Sequence, residues 1–312
     1  MPRIVLGALL CALSLPVWGQ YPARAIRVVV PFPAGSATDT ITRVLAQSVG
    51  QPLVVENKAG ADGAIAASEV ARSPADGYTL LMATNSPMSA VPAMKKNPPY
   101  DPVADFTPIT DVGRYTFFIV VHPSVPARTL AELIDYARAN PGKLNYATGN
   151  TTGIVSSAFF SSQAKIKMVH VPYKGEPQAI TDLVAGRVQF MFCSSSTSIP
   201  HIREGKLRAV VTTLPTRSTL LPDVPSIAEA GMPQFSITSW AGLFGPAKLP
   251  REVVERLNRE FGAAMARSDV QAAMERQAFA LTPSSPEQLA GFVKEQMESY
   301  RRTLRAAGVE PD

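Results

Sequence analysis

Ahead of a helical pattern that starts near Thr38, the chain reads Pro31-Phe32-Pro33-Ala34-Gly35-Ser36-Ala37-Thr38-Asp39. A helix start presents backbone N–H groups that have no partner inside the helix, and its dipole favours negative charge, so such a loop suits a carboxylate. Gly35 lets the backbone come close to a ligand. Ser36 and Asp39 also stand at capping-box spacing, which explains both without a ligand, and the spacing alone leaves the two readings open.

A second loop, Thr148-Gly149-Asn150-Thr151-Thr152-Gly153, occupies the equivalent place before a later helix. Facing each other across a cleft, the two loops would hold a ligand from both sides; taken singly, a Thr/Asn/Gly cluster before a helix is usually a cap. Further candidates are Asn85, Tyr173 as a surface for a ligand to pack on, and Ser194 and Ser195, whose hydroxyls follow a strand that ends at Cys193. Lys174 is either a partner for a carboxylate or an exposed turn residue. Trp240 is either a cleft wall or core, and large aromatics are more often core.

Signatures of turnover are missing. His122, His170 and His201 lack metal-ligand spacing, and there is no His-Glu-x-x-His run, no Gly-x-Ser-x-Gly elbow and no glycine-rich phosphate loop ending in Lys-Ser/Thr. Cys193 has no local sign of an activated thiol. The expectation is a binding protein without metal or cofactor, a secreted hydrolase assembled in space being the enzyme alternative.

The elements that must position these loops alternate short β-branched runs with amphipathic segments, the mark of an α/β fold with largely parallel sheets. Residues 26–30 read as a buried strand. Ile41, Val44, Leu45 and Val49 recur at helical spacing until Gly50 stops them. Strands are expected at 53–55, 78–83, 117–121, 144–147, 169–171, 188–193 and 207–212, with helices between them and a helical C-terminal part at 251–266 and 286–307. Thr129-Leu130-Ala131-Glu132 is a capping box. The chain divides near Val121 and again near Thr213, giving one lobe from 20–121 and 214–312 and another from 122–213. Two crossings are what a hinged clamp needs.

Residues 1–19 carry Arg3, an apolar run, Pro16 and small residues near Gly19, which reads as a secretory signal peptide too short to span a bilayer. Its removal takes Cys11 and leaves Cys193 without an intramolecular partner, so the core must hold the fold unaided. The formal charge of +5 is scattered rather than gathered into a stripe, which argues against nucleic acid.

Several segments together are similar to one family. Tyr21-Pro22, Pro31 to Gly35, Thr38-Asp39, Val54 to Ala61, Pro74 to Leu81, Tyr100 to Phe106, His170 to Gly175, Asp182 to Gly186, Gly205 to Ala209 and Leu221 to Gly231 resemble the Bug, or TctC-like, extracytoplasmic solute receptors of tripartite tricarboxylate transporters. The resemblance implies a type II periplasmic binding protein, with two α/β lobes closing on a ligand between them. It implies a small carboxylate as the solute, gripped by the loops at Pro33 to Asp39 and Thr148 to Thr152. The family loop carries two adjacent glycines and then Ser-Thr-Asp, where this chain has Gly35-Ser36-Ala37-Thr38-Asp39. Implied partners are a large and a small integral membrane subunit, with signalling to a sensor kinase as the alternative, and the receptor itself is expected to be a periplasmic monomer.

Overall fold

The computed structural model describes residues 21–306 and 311, apart from 215, 234 and 236–238. The signal peptide expected at 1–19 lies outside the described residues. Among them no helix is long and apolar enough to cross a membrane.

The chain builds one sheet, crosses to a second, and returns. The outward path lays down β1 (Ile26–Val30), α1 (Ala37–Ala46), β2 (Leu53–Asn57), α2 (Ala64–Ala71), β3 (Thr79–Thr84), α3 (Val91–Met94) and β4 (Phe106–Tyr115). The second lobe holds β5 (Phe117–Val121), α4 (Leu130–Ala139), β6 (Asn145–Thr148), α5 (Thr151–Ala164), β7 (Val169–Pro172), α6 (Glu176–Val184), β8 (Phe190–Ser194), α7 (Ser195–Arg203) and β9 (Arg208–Thr212). The return adds β10 (Trp240–Pro246), α8 (Arg251–Met265), α9 (Ser268–Arg276), β11 (Phe279–Leu281) and α10 (Pro286–Ala306).

Strand order is β11-β4-β10-β3-β1-β2 in the first sheet and β7-β6-β8-β5-β9 in the second. Both sheets are mixed, and the antiparallel share is larger than the βα alternation suggests. The parallel pairs are β1 with β2 and β3, and β6 with β7 and β8; β10 and β5 insert antiparallel because they arrive from the other lobe. One boundary needs correction. β5 pairs with β8 and β9, so residues 117–121 belong to the second lobe and the first crossing lies at Thr116, not near Val121.

Local chemistry explains the helix starts. Ser36 caps α1 by accepting the Asp39 N–H at 3.3 Å, and the capping box at α4 is complete, Thr129 Oγ1 accepting the Glu132 N–H while Glu132 accepts the Thr129 N–H. β5, β8 and β10 are buried along their whole length, as strands covered on both faces must be. One apolar core lies between α2, α10 and the first sheet around Leu81, Trp240, Phe244 and Leu289. Another packs α6 and α7 on the second sheet through Leu183, Met191 and Ile199, and the largest runs from the first lobe through Tyr115 and Phe117 into the second.

Because α4 lines no part of the cleft described below, Thr129→Ala should cost about 1 kcal/mol of stability in urea denaturation while leaving ligand affinity unchanged.

Candidate functional site

A cleft with about 560 Å³ of empty space opens between the lobes. Its first-lobe wall is Phe32, Pro33, Ser36, Ala37 and Thr38 from the turn between β1 and α1, with Thr84, Asn85 and Ser86 after β3, and Ser239. Tyr115 and Phe117, on either side of the crossing, close the floor. Opposite stand Gly149, Asn150 and Thr152 at the start of α5, Gly175, Glu176 and Pro177 at the start of α6, and Ser194 and Thr197 at α7. Four helices thus begin at one cavity, because in both lobes each begins at the C-terminal end of a parallel or central strand.

In α1 the Asp39 N–H is taken by Ser36, and the Ser36 N–H goes to the Pro33 carbonyl at 3.2 Å. The N–H groups of Ala37 and Thr38, in the first turn, have no intrahelical acceptor and head the helix that lines the cleft. Asp39 is buried and turned inward: its carboxylate accepts from the Gly35 N–H at 2.9 Å, from Arg43 Nε at 3.0 Å and from Asn57 Nδ2 at 2.9 Å. Burial opposes its ionisation, but the bonds from Arg43, Gly35 and Asn57 outweigh burial and hold the carboxyl below its ordinary value.

The lobes touch through buried hydrogen bonds. Asn85 Nδ2 donates to Thr152 Oγ1 and to the Tyr300 hydroxyl on α10, and Ser86 Oγ lies 2.9 Å from Thr152 Oγ1. Asn85 Oδ1 in turn accepts from Ser239 Oγ at 3.3 Å. The Tyr115 hydroxyl donates to Thr38 Oγ1 at 2.9 Å, and burial pushes its phenol up, so it stays neutral.

Sequence reasoning passed over Glu176. It caps nothing on its own helix; its Oε2 accepts from Ser194 Oγ, from the Ser194 N–H at 3.3 Å and from Thr197 Oγ1 at 3.0 Å. Its Oε1 has one long contact, Asn150 Nδ2 at 3.5 Å. Burial pushes the carboxyl up against these donors. Gly149 makes this possible: a Cβ there would collide with the backbone of Gly175 and Glu176, so only glycine lets the two loops touch backbone to backbone. The one available signal was position, directly after the Tyr173-Lys174-Gly175 turn. Thr197, likewise missed, follows the serine run.

Of the expected residues, the cleft gathers Phe32, Pro33, Ser36, Ala37, Thr38, Asn85, Asn150, Thr152 and Ser194. The Thr151 side chain lies outside the described residues. Ala34, Gly35 and Asp39 do not line it: Gly35 has φ +80° with open space where a Cβ would be, so the turn rather than ligand approach requires glycine there. Tyr173 instead donates to Asp182 at 2.7 Å, and Ser195 Oγ donates to the Gln277 carbonyl at 2.9 Å. Trp240 is fully buried in the first-lobe core. Cys193 is buried with Sγ 3.0 Å from Thr197 Oγ1, and burial together with the Glu176 charge raises its thiol well above the ordinary range.

The family model described as tripartite tricarboxylate transporter family receptor matches residues 39–309. The chain belongs to that receptor family. BugT of Bordetella pertussis is 34% identical over 299 residues, covering 93% of this receptor and 91% of BugT. Among solved structures, an R. palustris protein with adipate superposes with a TM-score of 0.88 at 31% identity, over 94% of this receptor and 100% of that chain. MatC of Rhodopseudomonas palustris, with bound malate, gives a TM-score of 0.84 at 31% identity, over 91% and 100%. Members of this family are solute-binding receptors, not enzymes, and the two-lobe fold is that of periplasmic binding proteins.

Two outcomes follow for this receptor. Gly149→Ala should displace the start of α6 and weaken ligand binding at least tenfold by calorimetric titration, in a chain that still folds by circular dichroism. Asp39 has a folded pKa below its unfolded value, so its stabilising contribution is complete above roughly pH 4 and is lost as pH falls through the folded value. Asp39→Asn should therefore lower the melting temperature at neutral pH and converge with the parent at the acid end.

Proposed function

We propose that this receptor is exported to the periplasm, captures a small organic acid in the cleft, and presents it to the large and small membrane subunits of a tripartite transporter. The observation that carries this reading is the free first-turn N–H pair of Ala37 and Thr38 at a cleft whose other walls are the apolar Phe32, Pro33 and Phe117. A carboxylate seated there needs no basic side chain, and none lines the cleft among the described residues. The adipate and malate in two relatives support an acid as the solute class.

Capture is coupled to shape. Asn85 and Ser86 on one lobe meet Thr152 on the other only when the lobes are together, so a ligand bridging the α1 and α5 starts favours the closed arrangement by its differential contacts. The closed form is then the surface a membrane partner reads.

The test is a thermal-shift and calorimetric screen of the leaderless chain against adipate, malate and aliphatic and aromatic monoacids, with and without amino substituents. At about 100 times its dissociation constant a ligand specific to the folded form adds about 2.7 kcal/mol, enough to raise the melting temperature by several degrees. One acid binding at a single site per chain, recovered unchanged, is the expected result. If no acid of any kind binds, the reading fails.

A further inference from the structure

Resting on the receptor reading, we infer that Glu176 is a specificity-determining residue that selects an acid also carrying an ammonium group, with the carboxylate at the start of α1 and the ammonium at Glu176. Glu176 is the sole formally charged side chain lining the cleft among the described residues, and it has no ion-pair partner among them. A partly buried carboxylate without a counter-charge is costly, and a ligand ammonium would supply that charge at the moment of binding.

Burial favours the neutral acid, and the donors around Glu176 work against it by favouring the ionised form, which a ligand ammonium would complete. The Ser194 N–H is an obligate donor and points at Oε2, the hydroxyls of Ser194 and Thr197 point at the same oxygen, and Glu176 is the first residue of α6, where the dipole favours an anion. All three close donors crowd onto Oε2. Oε1 keeps its lone pairs nearly free, with Asn150 Nδ2 at 3.5 Å as its one hydrogen-bond contact among the described residues, and Glu176 faces the cleft.

The charge pattern also orients the ligand. In the second lobe the helix starts already face an internal carboxylate, so a second anion there would meet like charge. In the first lobe the corresponding carboxylate, Asp39, is turned away and paired with Arg43, leaving the Ala37 and Thr38 N–H groups for an anion. A donor-free diacid spanning the cleft would place one end against Glu176, whereas an amino-substituted acid satisfies both walls.

The experiment compares matched pairs that differ by one ammonium: succinate with L-aspartate, glutarate with L-glutamate, butyrate with γ-aminobutyrate, and propionate with β-alanine. Calorimetric titration of the parent chain should show at least one amino acid bound ten times or more tightly than its desamino partner, and Glu176→Gln should remove that preference while retaining or improving the desamino partner. Parent affinities that are equal within each pair, or that favour the desamino acid, overturn the inference and leave the receptor reading standing. An amino-acid preference that survives unchanged in the Glu176→Gln protein overturns it equally. Failure of all eight compounds overturns the inference, and the receptor reading falls with it only where the adipate, malate and aromatic acids of the wider screen fail as well. The parent comparison needs no variant, so a misfolded substitution would not decide the outcome.

Discussion

The chain passes between its two sheets in a single residue, and the rest of the molecule is arranged around that passage. Thr116 donates through both its N–H and its hydroxyl to the Ala278 carbonyl of the first lobe, and its own carbonyl accepts the Ser195 N–H of the second. The return crossing is bound alongside: the Tyr115 N–H reaches the Ser239 carbonyl, and the Thr213 N–H reaches the Phe117 carbonyl, each at 2.9 Å. Two strands held this closely leave little freedom except rotation about the pair. Tyr115, Phe117, Ser239 and Ser194 are neighbours of the passage in sequence or in space, so the floor of the cleft and the pivot of the lobes are the same few residues.

That arrangement fixes what a ligand can do. The polar groups that join the lobes, Asn85, Ser86, Thr152 and Tyr300, are neutral, and their contacts are of the kind that contribute about 1 kcal/mol each net. Such a seam closes without being locked. A bound solute adds contacts on both sides of it, and a bias of a few kcal/mol is enough to move a two-state equilibrium from mostly one form to mostly the other.

The sequence made the helix starts legible because capping is local: Ser36, Thr129 and Asn150 each act within three residues of themselves. The two loops that face across the cleft were readable for the same reason. Sheet membership was not, since the period of residues 117–121 announces a strand while its partners, β8 and β9, lie some seventy to ninety residues away. β4 and β10 were passed over because Pro108, Asp111 and Gly113 interrupt one, and Gly242, Gly245 and Pro246 the other. Residue type alone placed Tyr173 and Trp240 at the ligand and could not see Asp182 or the core that claim them. Glu176 was invisible for the converse reason: its meaning comes from Ser194, Thr197 and Gly149, which only the folded chain brings to it.

The buried thiol of Cys193 gives the receptor a chemical quietness. An oxidising compartment turns an accessible thiolate into mixed disulfides or covalent pairs of chains, and the rate of that exchange depends on both ionisation and access. Here the sulfur sits against Thr197 beneath α7, out of solvent, and the charge of Glu176 close by disfavours a second anion. Burial first, and the carboxylate that faces the solute second, keep the thiol protonated, so the one cysteine among the described residues can remain reduced among oxidants without a disulfide partner.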